Sequence, residues 1–220
     1  MKSGSLVRVV WAMGFLLPAA VAAAPGDASA CGTAVYRVVD DNAQLVSQAE
    51  QSLGDGKYGK AAQKAVEAFP ALKIVKPGSL PLADRALRIL ALAAVRSDGG
   101  LTVGTMKGKT AAERASNLEW SIDVLRSLSE KRGRNPSFET DLGEALAKVP
   151  AHHAEALKIL GDLSDKDLLT SAEGYAALAR LRAEAGDAAA REAAVKRCET
   201  MTKTPAICDV PAPAEVASRT

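Results

Sequence analysis

Residues 45–69 read LVSQAEQSLGDGKYGKAAQKAVEAF, and the recurrence of apolar and small residues along this stretch decides the fold class. Leu45, Val46, Ala49 and Leu53 return at helical spacing, the pattern stops at Gly54-Asp55-Gly56-Lys57-Tyr58, and it resumes with Ala61, Ala65 and Ala68. Two helices joined by a glycine turn are the expected structure. Asp41 or Asn42 can cap the first, because a short polar side chain accepts from an otherwise unpaired amide of the first turn. Pro70 stops the second, since it has no N–H to donate and its ring clashes with the preceding turn.

The unit recurs. From Tyr175 to Met201 a helical pattern breaks at Ala185-Gly186-Asp187 and resumes with Ala190 and Ala194. One such hairpin cannot bury its apolar stripe by itself, so copies must stack against it, and stacked hairpins build extended surfaces that bind other chains.

Gly56-Lys57-Tyr58-Gly59-Lys60-Ala61 is similar to the turn and second-helix start of tetratricopeptide repeats, and Ala61-x3-Ala65 keeps the small-residue spacing of that helix. Small residues where two helices cross let the backbones approach, while larger ones on either side fill the grooves. Leu87-x2-Leu90-Ala91 and Tyr175-x2-Leu178-Ala179 match the first-helix pattern of the family. Leu142-Gly143 matches its second half, with Glu139 where bulk is expected and Phe138 beside it. The resemblance implies an all-α chain, a short right-handed α-solenoid of about four antiparallel helical hairpins. Its units are about residues 41–77, 78–135, 136–168 and 169–204, three of them near the roughly 34-residue period of that family. The second is longer by a stretch from Ser97 to Lys109, read as a mobile connecting loop, after which Thr110-Ala111-Ala112-Glu113 forms a capping box. Leu118, Ile122, Leu125 and Leu128 then form a stripe that ends before Gly133 and Asn135-Pro136.

The N-terminus reads as an export signal. Lys2 and Arg8 precede an apolar run from Val9 to Ala24, Pro25-Gly26 break it, and Ala28-Ser29-Ala30 offer small residues for cleavage. The run has neither the length nor the flanks of a membrane-spanning helix, and Pro18 interrupts it. Removal of residues 1–30 leaves about 190 residues, the size of one domain. Residues 31–40, with Val35, Val38 and Val39, are expected as an extended lead-in, 41–208 as the helical-repeat domain, and 209–220 as a disordered tail that has no large aliphatic or aromatic side chain after Val210 except Val216.

Export bears on the three cysteines, because disulfides persist outside the reducing cytoplasm. Cys198 and Cys208 are the natural pair, since Pro205 and its neighbours can turn the chain back; Cys31 with Cys208 is the rival pairing. Cys31 carries a second alternative. Ala28-Ser29-Ala30-Cys31 resembles a bacterial lipobox, in which that cysteine would bear a lipid anchor.

Composition narrows the function. The net charge is +2 with both signs interspersed, which provides no electrostatic footprint for nucleic acid. Gly104-Thr105-Met106-Lys107-Gly108-Lys109-Thr110 has three residues between its glycines where a phosphate loop needs four, so nucleotide is not expected. His152 and His153 are adjacent, point about 100° apart on a helix and cannot chelate together; no metal or other cofactor is expected. Serines and aspartates are too common for any nucleophilic triad to be singled out, and the chain is not read as an enzyme. Arg85, Arg88 and Arg96 lie on one predicted helix, with Lys148 and Arg180 expected at comparable stations in later first helices. In the family that the chain resembles these stations line the concave groove, which implies a binding row for an acidic segment or a terminal carboxylate, with Leu92 as its apolar anchor. The expected function is an exported protein–protein interaction scaffold or adaptor of the bacterial envelope with a protein or peptide partner. The alternative is a lipid-anchored structural subunit, touching membrane only through Cys31.

Overall fold

A computed structural model describes residues 41–210. The expected signal peptide, lead-in, Cys31 and most of the tail lie outside the described residues. The described residues are all-α, with eight helices and no strand: α1 Asp41–Gly54, α2 Tyr58–Ala68, α3 Pro81–Arg96, α4 Ala111–Lys131, α5 Pro136–Leu146, α6 His153–Asp165, α7 Ala172–Glu184 and α8 Ala188–Met201.

Local chemistry sets the boundaries. Gly56 turns the chain between α1 and α2 at φ 73°, a left-handed conformation that costs glycine little. Pro81 and Pro136 each open a helix, where a missing N–H costs nothing. The Thr110 hydroxyl accepts from Glu113 N while the Glu113 carboxylate accepts from Thr110 N, the reciprocal cap expected from the sequence. Asn135, Ser171 and Asp187 cap α5, α7 and α8 one way only, each side chain accepting from amides of the first turn.

Each helix packs on its successor, and α1, α3, α5 and α7 also touch in series. The odd helices thus form a continuous series, with the even helices packed against them. The seams between them are built from small side chains: Ala61 and Ala65 on α2, Ala91 on α3, and Ala179 on α7 are fully buried. Leu87, Leu90, Leu125 and Leu178 fill the spaces beside them.

On α4 the buried stripe differs from expectation. Leu118 is half-buried, and Asn117 takes the inward station. The reason is the connection before it. Asn117 Nδ2 donates to the carbonyls of Gly99 and Lys107, both at 2.8 Å, and Arg114 Nε donates to Gly108 O at 3.1 Å. Leu101 and Met106 of the same segment are buried in the core. The connection between α3 and α4 is therefore tied down at both ends and in its middle, where the sequence suggested a mobile loop.

The sulfurs of Cys198 and Cys208 lie at bonding distance, with a Cα–Cα separation of 5.7 Å. The short 3₁₀ turn Pro205–Cys208 packs on α7 and α8, and Val210 is buried behind it.

Candidate functional site

The candidate site lies on α3. Arg85, Arg88, Leu92 and Arg96 are spaced by three or four residues, so one face of the helix carries all four. They line, with Leu53, Ile89 and Phe138, a concavity of about 340 Å³ whose walls come from α1, α3, α5 and the start of α7. Lys148 and Arg180 line an adjoining concavity of about 160 Å³, and Arg96 is common to both. A third, of about 660 Å³, runs from the α1–α2 turn to Met201–Thr204 and Ile207, again with Arg96 in its wall. The six residues picked from the sequence thus line two concavities that have Arg96 in common. Lys148 lies just past the end of α5, not on a first helix.

Every arginine of the α3 row already has a carboxylate. Arg85 makes a two-pronged pair with Glu50 of α1, at 2.9 and 2.6 Å. Arg88 donates to Asp141 and, at 2.6 Å, to Ser137 Oγ, while its guanidinium stands 4.8 Å from the Phe138 ring centre. Arg96 pairs through two nitrogens with Glu144, at 2.9 and 3.0 Å, and through the third with Glu173, at 2.9 Å. Beside them Arg132 reaches Asp84 at 3.1 Å. Lys148 meets Asp98 at 2.5 Å. Arg180 makes no ion pair among the described residues.

These pairs link helices. Arg96 is only 10% exposed and Glu144 only 2%, so the triad of Arg96, Glu144 and Glu173 joins α3, α5 and α7 in poorly solvated surroundings. Burial alone would disfavour the Arg96 charge; the two carboxylates outweigh it and raise its pKa. Asp141 is the opposite case. Burial pushes its carboxyl up to about 6, and the bond from Arg88 offsets only part of that rise.

The sequence reading missed the acidic half of this arrangement. Glu50, Asp141, Glu144 and Glu173 belong to other helices, and only the three-residue spacing of Asp141 and Glu144, flanking Leu142-Gly143, hinted that α5 presents two carboxylates to one side. The row is charge-balanced, not simply cationic.

The histidines diverge across an element boundary, His152 closing a 3₁₀ turn and His153 opening α6. His152 faces Glu119 of α4 at 3.5 Å, and His153 faces Glu184 of α7 at 2.9 Å. No cluster of His, Cys, Asp and Glu suited to a metal occurs among the described residues. In the glycine-bearing loop, Val103 and Met106 form an isolated bridge, and no strand flanks it. Comparison with known proteins returns no matching family, no matching curated protein and no matching solved structure.

Proposed function

We propose that this chain is an exported protein–protein interaction scaffold, a short tetratricopeptide-like array of four helical hairpins whose odd-helix face holds a segment of a partner chain. The carrying observation is the concavity along α3, where Leu53, Ile89, Leu92 and Phe138 form an apolar floor within a ring of arginine–carboxylate pairs. Rigid packed helices on several sides hold its shape, which lowers the ordering cost of binding.

The charge balance refines the expected occupant. An acidic segment would have to compete with Glu50, Asp84 and Asp141 for guanidiniums that are already neutralised. An apolar side chain on a partner, with its backbone meeting the remaining N–H donors at the rim, loses less on entry. Export is supported by the sulfur pair of Cys198 and Cys208, which persists in an oxidising compartment, and by the apolar run after Lys2 and Arg8.

Filling the concavity tests the reading. Ser137 is half-buried on its wall, and Ser137→Trp should abolish recovery of the partner with the purified chain while the unfolding midpoint stays close to that of the parent. Undiminished recovery with a folded variant would refute it.

A further inference from the structure

The connection from α2 to α3 carries two of the large apolar side chains most exposed among the described residues. Ile74 is 83% exposed and Leu80 58%. Single exposed aliphatics are ordinary, but these are held outward by a fixed backbone. Trp120 Nε1 donates to Lys73 O at 3.3 Å, the Lys131 ammonium donates to Pro77 O, and Gly78 N donates to Asp84 Oδ1 at 2.6 Å. Leu72, two residues before Ile74, is fully buried and pins the 3₁₀ turn Leu72–Ile74 to the core.

Along the connection itself the charge has one sign, and beside it Glu113 of α4 shares a depression with Lys73 and Lys107. Between Glu67 and Asp84 there is no carboxylate, while Lys73 and Lys76 flank Ile74. Glu67 is occupied by Lys64, and Asp84 by Gly78 N and Arg132. Lys131 adds a third cation against the connection. Protein-binding hot spots favour tryptophan, tyrosine and arginine, and protein interfaces are poor in lysine. Aliphatic tips beside lysines suit a bilayer surface, where the methyl groups enter the boundary of headgroups and acyl chains and the ammonium groups reach lipid phosphates. Neither Ile74 nor Leu80 lines the concavities around α3.

We infer that the α2–α3 connection is a membrane-contact element, with Ile74 and Leu80 entering the interface of an anionic bilayer and Lys73 and Lys76 pairing with its phosphates. It does not depend on the partner groove or on a lipid at Cys31. No described helix is long and apolar enough to cross a membrane; three cations with two aliphatic tips make the contact of this connection weak and salt-sensitive.

A local reporter tests this in the full chain, where the apolar N-terminal run could also meet lipid. Tryptophan is placed at the tip in Ile74→Trp and, as a control, on exposed α8 in Lys196→Trp; the parent supplies the common background of Trp11 and Trp120. With vesicles of equal parts phosphatidylglycerol and phosphatidylcholine, the added emission at position 74 should shift to the blue and be quenched by brominated acyl chains, while that at 196 stays in water. Adding Lys73→Gln and Lys76→Gln should raise the lipid concentration needed for half-quenching by about tenfold or more, and Leu80→Ser should raise it as well. A tip that remains in water on these vesicles overturns the inference and leaves the connection to a protein partner. Equal quenching at 74 and 196 overturns it too, as does quenching that the lysine changes leave unaltered.

Discussion

Gly143 and Gly161 offer the same substitution in two neighbouring helices with opposite expected outcomes. Exchanging a glycine for alanine inside a helix should stabilise by about 1 kcal/mol, because alanine has less backbone freedom to lose. At Gly161 on α6 that term acts alone, since an added methyl group would meet nothing within 4 Å. At Gly143 on α5 the methyl group would lie 2.6 Å from Leu160 Cδ2 and 2.7 Å from Leu160 Cγ. Leu160 is fully buried, so moving it aside must displace packed neighbours, and the overpacking penalty of about 1–3 kcal/mol exceeds the propensity gain. Gly161→Ala should therefore stabilise by about 1 kcal/mol and Gly143→Ala destabilise by about 1 kcal/mol. Their difference, about 2 kcal/mol, cancels the shared backbone term and isolates the contact between α5 and α6. Urea unfolding followed by far-ultraviolet circular dichroism measures both, read from midpoints at unchanged slope. Combining Gly143→Ala with Leu160→Ala should cost less than the sum of the two alone, because the second change removes the atoms in the way. If the two alanine variants agree within about 0.5 kcal/mol, the scatter of inconsequential substitutions, the close approach of these helices is refuted.

Glu144→Gln leaves the Arg96 guanidinium, 10% exposed, with Glu173 as its remaining carboxylate; it should lower stability by about 3 kcal/mol in the same assay, and Glu173→Gln by about 1. Asp141 should make stability depend on pH. Its folded pKa of about 6 stands above the ordinary 3.8, so the protonated form favours folding, and its contribution is full below about pH 4 and lost as pH rises through 6. Between pH 7 and pH 5 the parent should gain about 1 kcal/mol more than Asp141→Asn, measured from urea midpoints at each pH. Reducing Cys198–Cys208 should remove about 2–3 kcal/mol and speed hydrogen exchange first in the C-terminal part of α8 and the turn Pro205–Cys208, with the amides of α3 least affected.

The helical hairpins were legible because their signals are local. Gly56, Asn135-Pro136 and Asp187 mark boundaries through backbone chemistry that a few neighbouring residues determine, and Ala61, Ala91 and Ala179 were readable as crossing points because small size has one steric use there. The pairing of Cys198 with Cys208 was readable for a similar reason, as they stand ten positions apart. Contacts across long separations were not legible. Arg85 meets Glu50 from 35 residues away and Arg88 meets Asp141 from 53, and no periodicity assigns one carboxylate among many to a given arginine. Asn117 was overlooked for another reason. A search for apolar periodicity passes over an amide, although this one is buried because the carbonyls of Gly99 and Lys107 satisfy both its N–H bonds. The concave row of Arg85, Arg88, Leu92 and Arg96 was visible in the sequence; its neutralisation by acids from three other helices was not.

The central claim is that a partner chain enters the concavity along α3, and site-specific photocrosslinking in the producing cell addresses it most directly. Arg85 and Arg132 are about half exposed on its rim, whereas Glu192 and Lys196 are exposed on α8 outside it. A benzophenone side chain placed singly at each position should give a discrete adduct of the same mass from 85 and 132 and none from 192 or 196, with the adducts lost in the Ser137→Trp background. Adducts of equal yield from all four positions, or from the α8 positions alone, would contradict the claim.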